Sequence, residues 1–186
     1  AGADRYILKF ETSNPELYHK LKPRDTLDNR LRCLKDLVEL GYQVGSGNMV
    51  GLPGQTIEDM VTDILTLGFL DLAVSSCTPF IPGIETIYRD EPMGDVDLAL
   101  NTMALVRILY PNRLIPTTSS LEKARPDGQY LGLMAGANTV TIHDGTPPER
   151  KDLFPIYDSK RFSPGEEHLM NAVRRAGMKP VQGALR

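Results

Sequence analysis

Gly45-Ser46-Gly47-Asn48-Met49-Val50-Gly51-Leu52-Pro53-Gly54-Gln55-Thr56 is the stretch that decides the fold. It reads as the end of a buried strand led in by Gln43-Val44, a glycine-rich turn, and the start of a helix. Four glycines within ten residues permit positive φ and close approach of the backbone to a ligand, because no Cβ intervenes. Thr56 suits an N-cap, and Asp59 stands three residues on in the capping-box position. Ile57, Met60, Val61 and Ile64 then follow at helical spacing. A strand-to-helix turn can need glycine for purely local reasons. In parallel α/β folds, however, ligands gather at the carboxyl ends of the strands, where such turns lie.

On either side of this stretch one pattern repeats. A helix end carrying glycine leads within a few residues into a short hydrophobic strand. It occurs before Arg5 to Glu11, at Leu40-Gly41 before Gln43-Val44, at Leu67-Gly68 before Leu72 to Ser75, and at Ala135-Gly136 before Thr139 to Ile142. Pro111-Asn112 plays the breaker role before Arg113 to Thr118. The segments between are amphipathic: Leu27, Leu31, Leu34 and Val38 line one face of the first, with Asp25 or Thr26 as its cap. Further helices are expected over about 57–67, 96–109 and 129–135, and a last one over about 165–176 after a long irregular segment. Strands alternating with helices imply βαβ units and a parallel sheet. Five strands and four crossover helices fall short of a complete (β/α)8 barrel, which typically takes about 250 residues. The expected fold is therefore α/β, the C-terminal part of a TIM-type barrel with about five parallel strands. The barrel portion is placed at 1–150, and 151–186 is a C-terminal extension with one helix.

Composition narrows the function. A net charge of −3 with no basic block argues against nucleic acid or an acidic membrane surface as partner. No apolar run approaches the roughly 20 residues that span a bilayer. Cys33 and Cys77 are far apart among apolar residues, which points to reduced, buried thiols in a cytoplasmic protein. His19, His143 and His168 make no metal-ligand spacing, and neither a Walker loop nor a Rossmann fingerprint is present.

Alternation along the first strand puts Tyr6, Leu8 and Phe10 on one face and Arg5, Ile7, Lys9 and Glu11 on the other. The apolar set suits the outer helices, so Lys9 and Glu11 point into the barrel near its carboxyl end. Buried charge is costly unless paired or used on a ligand. A structural ion pair and a binding site both answer that requirement. Arg30 could reach over the same rim, or be a solvated surface residue. Thr117, Thr118, Ser119 and Ser120 crowd another strand end, where hydroxyls serve capping as readily as substrate contact.

At these residues the chain resembles radical S-adenosylmethionine proteins. The resemblance is to the biotin-synthase-like branch that also holds the FeFe-hydrogenase maturase HydE and methylornithine synthase. It rests on Glu11 to Tyr18, Asn29-Arg30 and Gly45 to Thr56, and continues through Pro79 to Pro82, Leu114 to Pro116, Ala135 to Asn138 and Gly177 to Pro180. It implies a (β/α)8 barrel that cleaves S-adenosylmethionine at a 4Fe-4S cluster, giving a 5′-deoxyadenosyl radical that attacks a small substrate inside the barrel. By the same resemblance Glu11, Arg30 and Met49 are cofactor-binding, with Arg30 pairing the methionyl carboxylate. A guanidinium fork suits that task. Lys9, Thr118 and Ser119 fall on the substrate side, and the substrate is expected to be amino-acid-like.

Departures from the family pattern are equally specific. Lys9 replaces an arginine of the maturase pattern, and Ser120 stands where methylornithine synthase has an acidic residue. The C-x-x-x-C-x-x-C cluster motif is absent, so the cluster ligands are expected outside this chain, and no metal ligand or catalytic residue is assigned within it. A partner is then expected: the missing N-terminal part of the barrel or a self-pairing copy. Two other readings stand beside this one, a cluster-free TIM-barrel lyase or aldolase using Lys9 as its amine, and a non-enzymatic half-barrel.

Overall fold

The computed structural model describes residues 2–83, 85–141 and 165–181. Ile142, His143-Asp144 and the expected boundary at 150/151 lie outside the described residues. Five parallel strands form an arc: β1 (Arg5–Ile7), β2 (Gln43–Val50), β3 (Val74–Pro79), β4 (Pro116–Thr117) and β5 (Thr139–Val140). β1, β2 and β3 make one sheet and β4 pairs with β5. The two are joined below β4, where Ser75 donates to Leu114 O at 2.9 Å and Leu114 donates to Ala73 O at 3.0 Å. The described strands do not close on themselves. This is part of a TIM-type barrel, with helices covering one face of the arc.

Those helices are α1 (Pro15–Leu21), α2 (Leu27–Glu39), α3 (Ile57–Phe69), α4 (Val96–Leu109), α5 (Ser119–Ala124), α6 (Gly128–Met134) and α7 (Glu166–Arg175). Thr26 caps α2, and Thr56 with Asp59 forms the expected capping box on α3. The core lies between sheet and helices and contains Phe10, Tyr18, Leu34, Val44, Leu67, Cys77, Met103 and Ile115. Ala172 and Val173 of α7 join that same core. Gly41, Gly136 and Gly177 end their helices at positive φ, the conformation that glycine adopts without strain.

Four local expectations are overturned. Gly45 and Gly47 belong to a strand and not a turn: β2 runs on to Val50, and only Gly51 and Gly54 take positive φ, 82° and 83°. Crowding between strands explains the glycine at 47, since a Cβ there would strike the carbonyl of Ser76 on β3. Gly68 lies inside α3, where a Cβ would strike the Tyr110 hydroxyl. On α3 the buried face is Met60, Asp63, Ile64 and Leu67, while Ile57 and Val61 are exposed. Finally, α1 and α5 are additional short helices; α1 starts on a proline and is capped by Asn14, whose side chain accepts from Glu16 N and Leu17 N.

Candidate functional site at the strand ends

Beyond Ile7 the chain keeps its pairing with β2. Leu8 N donates to Gly45 O at 2.9 Å, Glu11 N to Gly47 O at 3.0 Å, and Met49 N to Glu11 O at 2.7 Å. Glu11 achieves this in the left-handed region, φ 67°, which a side chain other than glycine enters at a cost. Phe10 packs into the helix-side core, so Lys9 and Glu11 occupy the opposite, lumen face. Lys9 Nζ donates to Thr78 Oγ1 on β3 at 3.0 Å and lies 3.2 Å from Glu11 Oε2. On β2, Gly47, opposite Ser76, and Met49, opposite Thr78, alternate onto that face. The Lys9–Glu11 approach is an ion pair without hydrogen-bond alignment. Glu11 Oε2 is buried and accepts no hydrogen bond.

The structure brings Lys9, Glu11 and Met49 together and places the other expected site residues elsewhere. Arg30 sits in the first turn of α2. Its Nε donates to Tyr18 Oη at 2.8 Å and its Nη2 to Asp25 Oδ2 at 3.2 Å. Tyr18 Oη donates in turn to Asp25 Oδ2 at 2.8 Å, closing a three-membered ring of contacts. Arg30 is thus neither a bare surface residue nor in contact with Glu11. Together with Tyr6, Leu8, Cys33 and Leu37 it walls a shallow recess of about 450 Å³. Asp25 also accepts from Asn29 Nδ2 and Thr26 N. The Asn29 and Tyr18 hydrogen bonds hold its carboxyl down at about 2. Thr118 and Ser119 lie at the carboxyl end of β4, further round the arc. Thr118 occupies the cap position of α5, and its Oγ1 stands 2.6 Å from Ser120 Oγ.

A network that sequence reasoning missed supports the site from behind. Asp63 on α3 is fully buried and accepts from Ser13 N (2.5 Å), Ser13 Oγ (2.6 Å), Asn48 Nδ2 (3.1 Å) and Gln55 Nε2 (3.1 Å). Burial pushes its carboxyl up, and the hydrogen bonds from Ser13 and Asn48 pull it back. Gln55 extends the network to Met49 O, Gly51 N and Leu52 N. The one available signal was an aspartate at a position where the helical period calls for an apolar residue.

Glu11 is suited to a ligand rich in donors, such as the ribose hydroxyls or ammonium of S-adenosylmethionine, because its buried Oε2, 3.2 Å from the Lys9 ammonium, accepts no hydrogen bond and can take a further donor. An iron–sulfur cluster does not fit the thiols present. Cys77 is fully buried on the helix side with its thiol pushed up by burial to about 12, and Cys33 stands on α2. Among the described residues no group of three or more His, Cys, Asp or Glu side chains could hold a metal ion. Nor is any described helix long and apolar enough to cross a membrane.

Parallel strands with helices outside and polar groups at the carboxyl ends are the architecture of (β/α)-barrel enzymes. Residues 1–67 match the family model of the Radical SAM superfamily. The chain is 45% identical over 160 residues to the [FeFe] hydrogenase maturase subunit HydE of Thermotoga maritima, covering 86% of this chain and 46% of that protein. It is 29% identical to the biotin synthase of Agrobacterium fabrum, over 98% of this chain and 50% of that one. The crystal structure of methylornithine synthase (PylB) superposes with a TM-score of 0.76 at 28% identity, over 98% of this chain and 54% of the other. The chain belongs to the radical S-adenosylmethionine superfamily, in the branch that holds these relatives. It spans about half the length of the curated relatives it matches.

Proposed function

We propose that this chain forms one wall of the S-adenosylmethionine and substrate cavity of a radical enzyme of the FeFe-hydrogenase-maturase type. The observation that carries this reading is Glu11: a buried carboxylate oxygen without a hydrogen bond, on a left-handed residue at a strand end, facing the lumen. The bound cofactor would supply a carbon-centred radical for abstraction from a small, amino-acid-like substrate. Glu11 accepts from the cofactor's hydroxyl or ammonium donors, and the Met49 stretch of β2 lies alongside its adenosyl part. Arg30, held at Nε and Nη2 by Tyr18 and Asp25, turns its remaining donors to the methionyl carboxylate. Thr118 and Ser119 serve the substrate, while Lys9, bonded to Thr78 and paired with Glu11, frames the lumen beside Glu11. The 4Fe-4S cluster is held by cysteines outside this chain, in an N-terminal part of the barrel. The aldolase reading gains no support, since the Lys9 nitrogen is committed to Thr78 and Glu11.

Equilibrium dialysis with labelled S-adenosylmethionine tests the proposal. Arg30→Lys keeps the charge but loses the fork, and affinity should fall about 30- to 1000-fold. Glu11→Gln should weaken binding as well. Unchanged affinity in both variants, with normal melting curves, would remove this face from the cofactor site. Three closely spaced cysteines in the coding sequence that completes the barrel are the matching expectation for the cluster.

A further inference from the structure

Asp63 does not face the lumen and touches none of the groups proposed to meet a ligand, yet it is a fully buried carboxylate with four hydrogen bonds drawn from three separate segments. Ser13 follows Glu11 by two residues. Asn48 precedes Met49 on β2, and Glu11 pairs with that same Asn48 across the strands. Gln55 belongs to the turn that leaves β2. We propose that Asp63 is a positioning residue: from the helix side it ties the chain after β1 to the end of β2, and so fixes Glu11 in its left-handed conformation with Met49 beside it.

Three observations support this inference. The Glu11 side chain meets Lys9 in a 3.2 Å ion pair, but its Oε2 accepts no hydrogen bond that would fix its backbone conformation. Its backbone is gripped by Gly47 O and Met49 N, so the angle is set by the relative position of the two strand ends. Those ends are joined on the far side of the sheet through Asp63, which receives Ser13 and Asn48 on different oxygens. An uncharged residue of the same shape would leave donors facing donors, because an amide presents N–H groups where Asp63 presents only acceptors. Gln55 carries the same constraint onward, since its amide spans Met49 O and Asp63 while its carbonyl receives Gly51 N and Leu52 N. A left-handed side-chain residue persists only where its surroundings over-determine it.

The inference rests on the Glu11 reading for its link to the cofactor, and two measurements keep the two separable. The first is amide hydrogen exchange of this chain and its Asp63→Asn variant. Exchange at Glu11 and Met49 should accelerate at least roughly tenfold, while Leu8 and Ala73, bonded lower in the sheet, keep their protection. Equal acceleration at all four sites, or none, would reduce Asp63 to general stabilisation and overturn the inference. Ser13→Ala, which deletes one donor without burying a new group, should give the same local pattern in weaker form if Asp63→Asn fails to fold. The second is a double-mutant cycle on S-adenosylmethionine binding. Asp63→Asn should weaken affinity by about tenfold, the scale at which loss of a supporting shell is felt. In an Glu11→Gln background it should add little, because both act through the same contact. Additive losses would overturn the inference and leave the Glu11 reading standing. If Glu11→Gln alone does nothing, that reading falls, while the exchange result still decides whether Asp63 fixes the strand ends.

Discussion

Asp25 concentrates the residue-scale physics of the α2 entrance. Four donors converge on one carboxylate: Asn29 Nδ2, Thr26 N, Tyr18 Oη and Arg30 Nη2. Its folded-state pKa of about 2 lies below the ordinary aspartate value, so the folded chain binds this proton less readily than the unfolded one. A group depressed in this way contributes stability that is present above about pH 4 and lost as pH falls through about 2. Thermal melts followed by circular dichroism should therefore decline across that window in the unmodified chain. Asp25→Asn should flatten the decline, and an unchanged acid profile would show that the four contacts carry no protonation linkage. Asp63 belongs to the same scale but was not legible in the sequence. Its place in the helical period hints at burial but names no partner, and Ser13, its strongest partner, is fifty residues away.

At the scale of elements, β2 decides most. The alternation of strands and helices could be read directly, because each apolar period and each terminal glycine is a local signal. The extent of β2 could not. Glycine read locally signals a turn, whereas Gly47 answers to a neighbour, the Ser76 carbonyl on β3. Gly47→Ala should accordingly force the two central strands apart. Overpacking against backbone, which cannot swing aside, should cost about 3 kcal/mol, the upper part of the usual range. For a chain of this size that is a drop of roughly 6–12 °C in Tm. An alanine variant melting within about a degree of the parent would show that the strands yield freely here. The short helices α1 and α5 escaped notice for a related reason. Each is too brief to display a period, and both begin where proline or hydroxyl residues suggest turns.

For the whole molecule, the arc is the dominant fact. Among the described residues the outer edge of β1 pairs with no strand, and Ile7 on the lumen face is 66% exposed, as is 48% of Tyr6. An open edge beside exposed apolar side chains favours pairing with another chain. Sedimentation velocity should show this chain forming dimers or larger species at micromolar concentration. A sharp monomer across that range would mean that the edge is protected. The family was legible because its signature runs, Glu11 to Tyr18 and Gly45 to Thr56, are contiguous in sequence. The ring of Tyr18, Asp25 and Arg30 was not, since nothing local announces that a tyrosine on one helix will meet an arginine on the next.

The crossing of two loops above β2 bears on how such a scaffold can diversify. Gly51 and Gly94 lie back to back, close enough that a Cβ on Gly51 would meet Gly94 Cα, and a Cβ on Gly94 the Val50 carbonyl. Phe80 N donates to Val50 O at 2.8 Å, and Gly94 N donates to Phe80 O at 2.9 Å. The excursion between Phe80 and Gly94 therefore leaves and rejoins the sheet through one narrow, hydrogen-bonded neck. Everything beyond the neck can be lengthened, shortened or exchanged while the strand ends stay where they are, since doubling a loop costs only about 0.6 kcal/mol once its ends are fixed. The scaffold can therefore diversify by replacement of that one excursion, with the strand ends of β1 and β2 untouched.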